Sequence, residues 1–296
     1  MEPHQAVVER IAQSSGVVLL FGGLDTGKTT LGRAIAAAAV RNGRPVAYLD
    51  ADVGQKAVGP PATVALKMIH GEADLEPDAL SRADAMSFVG SITPQGQLLP
   101  LVVGAARLLD RAFENGAELV VVDTSGLVFG VYGQILKYHK VEMLRPDVVI
   151  GLQRGAELDP ILGIVQRFFA TDVVSLPVHP DVVPTTVEER AASRERAMRA
   201  YFAEPLQRWR IRPTVFMPAL PTLFDVSQLH RLLVGLSDGK GGCTGLGILE
   251  HAADEDVLRL ISSVNEAPKA LKLGSIRVEP DFRVRKVDLR NLFGTD

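Results

Sequence analysis

The segment from position 22 to position 30 constrains the fold of this chain more strongly than any other part of its sequence. It reads Gly-Gly-Leu-Asp-Thr-Gly-Lys-Thr-Thr and fits the pattern G-x-x-x-x-G-K-S/T. A continuous apolar run, 17–21, precedes it, and an alanine-rich helical segment, 28–41, comes directly after it. A loop between a buried strand and a helix N-terminus directs backbone N–H groups at phosphate oxygens. The sequence therefore predicts a phosphate-binding loop, or P-loop, in an α/β fold.

All nine residues of this loop are predicted to bind the nucleotide, namely Gly22, Gly23, Leu24, Asp25, Thr26, Gly27, Lys28, Thr29 and Thr30. We expect the Lys28 ammonium to reach the β- and γ-phosphates, and the Thr29 hydroxyl to bind Mg²⁺. The alternative is a glycine-rich turn with a chance lysine, which the complete pattern in its required setting disfavours. The loop predicts nucleotide binding and does not indicate which reaction the bound nucleotide undergoes.

The rest of the chain supports the same α/β fold class. Predicted strands lie at 17–21, 45–50, 86–92, 119–123, 147–152 and 171–176, and predicted helices at 4–13, 28–41, 97–114, 133–144, 157–169 and 187–202. Apolar strands that alternate with helices are typical of a parallel sheet flanked by helices. Prolines and glycines become frequent after about position 204. We therefore predict a P-loop domain over 1–204, with an arginine-rich helical lid at about 187–203, and a smaller mixed α/β region over 205–296.

Composition narrows the function classes. The formal net charge of the 296 residues is -3, so a surface that binds nucleic acid throughout is excluded and any such contact is expected to be local. The single cysteine, Cys243, cannot form an internal disulfide, which fits a reducing compartment. No apolar run reaches the roughly 18 residues of a membrane span, and the N-terminus lacks the form of a signal peptide. A cytoplasmic location without a membrane partner is the expectation.

Two predicted strands end in carboxylates, at the edge of the sheet where ligands bind in open α/β folds. Asp50 and Asp52 close the strand after the loop helix, and Asp123 closes a later apolar strand. We expect Asp123 to hold Mg²⁺, directly or through water. Asp50 and Asp52 should point to the same side of their strand, where one would polarise an attacking hydroxyl and the other would assist the metal. Capping of a turn is the alternative for either residue.

A locally basic segment lies between positions 190 and 212. It contains seven arginines and two acids; the arginines are Arg190, Arg194, Arg196, Arg199, Arg208, Arg210 and Arg212. Arg190 and Arg194 share a helix face, and Arg194 and Arg199 are expected to converge on phosphate from the side of that helix. Arginine suits the charge that phosphoryl transfer spreads over equatorial oxygens. The alternative is a solvated face paired with neighbouring glutamates.

Four motifs, in this order, resemble the polynucleotide 5′-hydroxyl kinases, a family that includes the RNA kinase of the mRNA 3′-end cleavage machinery and the kinase of ribosomal RNA processing. They are the loop at 22–30, Asp50-Ala51-Asp52-Val53-Gly54-Gln55, Asp123-Thr124-Ser125-Gly126, and the arginine segment that ends Arg199-Ala200-Tyr201-Phe202. A P-loop alone is widespread, whereas the combination is far more specific. The resemblance extends from position 16 to about position 203.

The resemblance implies an enzyme that uses ATP and Mg²⁺ to phosphorylate the 5′-hydroxyl of a nucleic acid, with RNA expected ahead of DNA and protein partners in addition. By motif match, Lys28 would act on the phosphates and Asp52 would be the general base. Arg194 and Arg199 would be lid arginines that close over the transferred phosphate. Gln55 would lie beside Asp52 and help to position the metal. Together with the residues predicted above, the metal-binding set is Thr29, Asp50, Gln55 and Asp123.

The chain also departs from the family pattern. Relatives often carry Trp after the Thr-x-Gly turn, where this chain has Leu127, and Asn in place of Asp123. Stacking of a base on an aromatic ring contributes about 1–3 kcal/mol, so this contact is lost or is supplied by another side chain. The candidates for a replacement are Tyr132, Tyr138 and Trp209.

Two other functions stay open. One is a P-loop ATPase or GTPase switch that acts on a protein partner, which Asp123 and the missing Trp favour. A guanine-reading Asn-Lys-x-Asp motif is absent, so GTP is disfavoured. The other is a non-catalytic nucleotide-binding scaffold, which the intact set of Lys28, Thr29, Asp52 and Arg194 disfavours.

Overall fold

The computed structural model describes residues 3–221, 224–255 and 257–293. In its first two thirds, helices and strands alternate: α1 (Pro3–Ala12), β1 (Gly16–Gly22), α2 (Lys28–Arg41), β2 (Val46–Ala51), β3 (Thr63–Ile69), α3 (Pro77–Leu80), β4 (Ala85–Phe88), α4 (Leu98–Glu114), β5 (Leu119–Thr124), α5 (Gly130–Leu144), β6 (Val148–Gln153), α6 (Asp159–Phe168), β7 (Asp172–Pro177) and α7 (Val187–Tyr201). The last third contains β8 (Gln207–Ile211), β9 (Phe216–Met217), β10 (Leu232–Ser237), β11 (Cys243–Ala252), β12 (Val257–Ser262), β13 (Ala270–Val278), β14 (Val284–Lys286) and α8 (Leu289–Phe293).

Five parallel strands form the middle of the sheet, in the order β2-β5-β1-β6-β7. Their side chains alternate between two apolar clusters, one on each face. In β1, Leu19 and Phe21 face the cluster under α4, α5 and α6, whereas Val18 and Leu20 face the cluster under α1 and α2. Strands buried on both faces need apolar residues at every position, which explains the continuous apolar runs in the sequence. The predicted α/β fold class is confirmed.

The sheet is not purely parallel, because β3 and β4 extend it beyond β2 as antiparallel strands. No strand is predicted over β3, whose apolar run is interrupted by Lys67; the ammonium of that lysine lies 3.2 Å from the Asp84 carboxylate. The strand predicted at 86–92 is shorter in the structure and ends at Phe88, and the chain turns at Gly90, where φ is +79°. This edge therefore continues a parallel core with antiparallel pairing.

The last third of the chain is mainly antiparallel sheet, in which β10 lies between β13 and β11, and β12 joins β11 to β8. It joins the first sheet through a bridge between Cys243 and Met86. The C-terminal end of α7 docks on this region, because Met198 and Phe202 pack in its apolar cluster. The boundary predicted near position 204 falls between α7 and β8 and stays a prediction. None of the described helices is long and apolar enough to cross a membrane.

Candidate active site

A cavity of about 700 Å³ opens at the carboxyl ends of the parallel strands. Its lining includes the loop at 24–30, the acids Asp52 and Asp123, and Arg190 of α7. The volume lies within the range of sites that bind small ligands, and the position is the one expected for ligands in open α/β sheets. The structure thus gathers the predicted loop and two of the predicted carboxylates around one cavity.

The loop joins β1 to α2 through a tight backbone path. Gly27 has φ +83°, a left-handed conformation that side chains disfavour, and a Cβ at Gly22 would lie 2.3 Å from the Thr26 hydroxyl oxygen. Lys28 Nζ donates a hydrogen bond to the Gly23 carbonyl oxygen at 2.6 Å. Burial lowers the pKa of Lys28, and the charge of Asp123 opposes that shift. The lysine is therefore held over the loop and in the field of the carboxylates.

Thr29 and Asp123 form the part of the site that suits a divalent cation. Thr29 Oγ1 donates to Asp123 Oδ2 at 2.5 Å, and the Tyr48 hydroxyl donates to the same oxygen at 3.2 Å. The other oxygen, Asp123 Oδ1, is buried without a hydrogen-bond partner among the described residues. A buried carboxylate oxygen seldom lacks a partner, and hard oxygen donors are the ligands that Mg²⁺ prefers. These two residues fit the predicted magnesium site.

Asp52 reaches the cavity from the turn after β2. Its Oδ1 accepts the N–H groups of Gly54 at 2.8 Å and Gln55 at 3.1 Å. Its other oxygen has no hydrogen bond within the ranges that the structure describes, and the residue lines the cavity. The Gln55 side chain donates to the carbonyl oxygen of Arg190 at 3.3 Å, which links this turn to α7. One carboxylate oxygen of this cavity-lining residue is thus anchored, and the other is left to accept a further hydrogen bond.

Asp50 differs from Asp52, although the sequence predicts metal binding for it. Its Oδ2 accepts the N–H groups of Ala57 and Val58 at 2.7 and 2.9 Å. Its Oδ1 accepts the Asp52 N–H at 3.0 Å and lies 3.0 Å from the ammonium of the buried Lys56. Both oxygens are therefore engaged within the turn at 50–58, and this arrangement favours a structural role for Asp50 over metal ligation.

The arginines of α7 separate into two groups. Arg190 lines the cavity and forms an ion pair with Asp25 of the loop. Arg194 is partly buried; burial lowers its pKa, Arg190 adds to the shift and the charge of Asp52 opposes it. Arg199, which the resemblance assigns to the lid, points away from the cavity: its guanidinium donates to the Asp281 carbonyl oxygen at 2.9 Å. The structure thus adds Arg190 to the cavity lining, places Arg194 in the field of Asp52, and holds the Arg199 guanidinium at the Asp281 carbonyl oxygen.

Three further basic residues border the site without having been predicted. Arg154 donates to the Asp25 carbonyl oxygen at 2.5 Å, and Lys137 and Lys140 of α5 are fully buried behind the strand ends. The two lysines share a helix face with Gly133 and Leu144, which are buried. The sequence did contain a signal for these two residues: they are lysines within the apolar stripe of a predicted helix, and positions in such a stripe normally face a core.

The candidates for base stacking lie in different settings. Leu127 is partly buried against the apolar cluster of the P-loop sheet. Trp209 packs against the cluster of the C-terminal sheet, and Tyr138 contacts the Phe169 ring edge-on. Tyr132 is exposed at the first turn of α5, with 59% of its surface accessible. Of the aromatic candidates, Tyr132 has the most accessible ring.

Comparison with known proteins identifies the family. The model of the mRNA cleavage and polyadenylation factor CLP1 P-loop family matches residues 22–204 of this chain. The chain belongs to this family. The predicted resemblance is therefore confirmed at the level of the CLP1 P-loop family, and the matched range covers the loop, both site carboxylates and α7.

Individual relatives of this CLP1 P-loop protein extend over most of its length. It is 29% identical to a polyribonucleotide 5′-hydroxyl-kinase of Pyrococcus furiosus, over 89% of this chain and 88% of that protein. It is 27% identical to a CLP1 homolog of Culex quinquefasciatus, over 92% of this chain and 62% of the homolog. The solved structure of a wild-type Clp1p–Pcf11p complex matches with a TM-score of 0.74 at 14% identity, over 93% of this chain and 77% of that one. At that identity the structural match supports the fold alone.

Proposed function

We propose that this CLP1 P-loop protein is a polynucleotide 5′-hydroxyl kinase that transfers the γ-phosphate of ATP to the 5′-hydroxyl of RNA. The observation that carries the proposal is the position of Asp52. One of its oxygens is anchored by backbone N–H groups, the other has no hydrogen bond within the described residues, and Asp52 lines the same cavity as the P-loop. A hydrolysing switch needs only nucleotide and water, whereas an aspartate placed across the phosphate loop suits deprotonation of an acceptor hydroxyl.

Thr29 and Asp123 are the residues that would hold Mg²⁺. The bound cation would supply neutralisation of the charge on the β- and γ-phosphate oxygens. Lys28 would exchange its hydrogen bond to the Gly23 carbonyl oxygen for contacts with the same phosphates. The protein thus provides a phosphate cradle in which nucleotide charge replaces contacts that the loop makes within itself.

In the proposed reaction, the Asp52 oxygen that makes no hydrogen bond within the described residues accepts the proton of the 5′-hydroxyl. The hydroxyl oxygen then forms a bond to the γ-phosphorus while the bond between that phosphorus and the β–γ bridging oxygen breaks, and ADP leaves. Arg194 and Arg190 would stabilise the charge that spreads over the equatorial oxygens. The place of Arg190 in the cavity lining and the interaction of Arg194 with the charge of Asp52 support this assignment. The fully engaged oxygens of Asp50 argue that the general base is Asp52.

The test is transfer of label from γ-labelled ATP to matched 5′-hydroxyl RNA and DNA oligonucleotides in the presence of Mg²⁺. We expect labelled oligonucleotide, more with RNA than with DNA, and loss of the label in Lys28→Ala and Asp52→Asn. Release of free phosphate that oligonucleotides do not affect would overturn the kinase and favour the switch that Leu127 and Asp123 keep open. The cytoplasmic location and the protein partners stay predictions.

A further inference from the structure

Two lysines next to the site have no part in the reaction proposed above. Lys137 and Lys140 lie one turn apart on α5, and their side chains are completely buried. An ammonium group removed from water costs several kcal/mol unless other contacts compensate it. Their position therefore requires compensating contacts, and those contacts indicate what the lysines do.

Lys137 holds the segment directly after Asp123. Its Nζ donates to the Thr124 hydroxyl at 2.6 Å and to the Ser125 carbonyl oxygen at 2.8 Å. The Thr124 hydroxyl donates in turn to the carbonyl oxygen of Leu20 in β1, at 2.6 Å. One ammonium group therefore connects the end of β5 to the strand that leads into the P-loop.

Lys140 holds the neighbouring strand at the same level. Its Nζ donates to the carbonyl oxygen of Ala51, the last residue of β2 and the residue before Asp52, at 3.2 Å. Ala51 and Thr124 are register partners in the parallel pairing of β2 with β5. The two lysines thus contact one rung of the sheet, directly before Asp52 on one strand and directly after Asp123 on the other.

The lysines also lie in the electric field of those carboxylates. Burial lowers the pKa of Lys140 to about 8 and that of Lys137 well below its ordinary value, whereas the charges of Asp52 and Asp123 oppose both shifts. Within the described ranges, neither ammonium forms an ion pair with a carboxylate; both donate to backbone carbonyl or hydroxyl oxygens. The two ammonium groups therefore act on the charges of Asp52 and Asp123 without forming a direct ion pair with either carboxylate.

We propose that Lys137 and Lys140 are positioning residues that fix the separation of Asp52 from Asp123 and weaken the binding of a divalent cation at Asp123. The kinetic part of this inference rests on the proposed kinase function. The rival explanation is that the lysines stabilise the fold and nothing else. The two explanations predict opposite changes in cation affinity when a lysine is replaced. Loss of a nearby positive charge strengthens cation binding, whereas a loosened site weakens it.

The experiment measures Mn²⁺ binding to the nucleotide-free full chain by electron paramagnetic resonance, for wild type, Lys137→Met and Lys140→Met. We expect Mn²⁺ to bind about tenfold more tightly to each variant, since one unit charge is removed at short range in a buried site. Lys67→Met is the matched control, because Lys67 lies on β3, does not line the cavity, and forms its ion pair with Asp84. Its Mn²⁺ affinity should equal that of wild type. Unchanged or weaker Mn²⁺ binding in the Lys137 and Lys140 variants would overturn the proposal.

Kinetics give the second measurement. Since displacement of a catalytic group by about 1 Å costs on the order of 100-fold, we expect kcat to fall at least tenfold in both methionine variants while KM for ATP changes less than threefold. If the methionine variants do not fold, Lys137→Arg and Lys140→Arg keep the charge and should combine wild-type Mn²⁺ affinity with a reduced kcat. Arginine variants with wild-type kcat would contradict the positioning role. Mn²⁺ binding requires no phosphoryl transfer. A wild-type protein without kinase activity would therefore contradict the proposed function, and the Mn²⁺ binding test would still apply.

Discussion

The cavity has two charged walls, which differ in how their groups are held. The strand wall is formed by residues 24–30, Asp52 and Asp123, and the helix wall is formed by Arg190 of α7. On the strand wall, Lys28 and Asp123 are buried. The lysine donates to a carbonyl oxygen of the loop, and the aspartate accepts from Thr29 at the start of α2. On the helix wall, Arg190 reaches the loop through its ion pair with Asp25, in which each side chain is 19% exposed. Burial therefore sets the geometry of one wall, and pairing of opposite charges sets that of the other.

The two ends of α7 show the same difference within one helix. Near its start, Arg190 lines the cavity and Arg194 follows one turn later, whereas its last turn packs Met198 and Phe202 into the apolar cluster of the C-terminal sheet. The Tyr201 hydroxyl accepts the N–H of Leu246 at 2.8 Å, which fastens this end to β11. A helix anchored at one end by apolar burial can respond to nucleotide charge at the other. The C-terminal sheet thus supports the helix wall.

The largest expected effect separates Asp52, which belongs to the strand wall, from Asp50 on β2 behind it. Asp52→Asn should lower kcat for oligonucleotide phosphorylation by about 10²–10⁴-fold, because it removes a general base, and leave the free energy of unfolding nearly unchanged. Asp50→Asn should change kcat little, but it removes the carboxylate that pairs with the buried Lys56 side chain. It should therefore reduce the free energy of unfolding by about 3–5 kcal/mol. Urea denaturation and steady-state kinetics on both variants check this. Equal losses of kcat would remove the distinction between the two acids.

The next effect tests the division of α7. Arg194→Ala should lower kcat by about 10²–10³-fold, since a charge-stabilising donor at the transferred phosphate is lost. Arg199→Ala should lower kcat by less than about fivefold, because its guanidinium contacts Glu195, the Asp281 carbonyl oxygen and the Phe282 ring. The two variants are matched in residue type and helix. A loss in Arg199→Ala as large as that in Arg194→Ala would show that α7 rotates its last turns toward the nucleotide.

A pH effect of intermediate size tests the burial of Lys140 on α5, which contacts the strand end next to Asp52. The folded-state pKa of Lys140 is about 8, below the ordinary value of about 10.4, because burial disfavours the ammonium. Between these values the unfolded chain binds more protons than the native protein, so the free energy of unfolding rises with pH. Between pH 8 and pH 10, the free energy of unfolding of wild type should rise by about 1–3 kcal/mol relative to that of Lys140→Met. Denaturation curves at several pH values measure the difference; a gap that does not change with pH would contradict the prediction.

The smallest effect concerns the contact between the two walls. Asp25→Asn removes the charge that pairs with Arg190 and keeps an oxygen that can accept the Thr185 N–H. We expect the free energy of unfolding to fall by at most about 1 kcal/mol, as for most partly exposed ion pairs, and to become less sensitive to salt. Thermal unfolding at low and high ionic strength checks this. Unaltered salt sensitivity would mean that the ion pair does not hold α7.

Some residues of the site were predictable because their role depends on neighbours in the chain. The P-loop is a local pattern between a strand and a helix, and Asp123 ends an apolar strand, so the strand order explains their place at the carboxyl edge of the sheet. The lid role of Arg199 stays a prediction. Its contacts, with Asp281 and Phe282, lie about 80 positions along the chain, in a turn that no helix pattern anticipates.

By itself, the sequence determined the α/β fold class, the phosphate loop and the presence of carboxylates at two strand ends, since each depends on the apolar pattern and on side chains within a few positions. Only the tertiary structure decided which carboxylate faces the cavity and which one organises a turn, because Asp50 and Asp52 differ in the hydrogen bonds that the chain at 54–58 supplies. It also decided that Lys137 and Lys140 contact one rung of the sheet. That contact arises from the packing of α5 across β2 and β5, and no spacing within α5 specifies it.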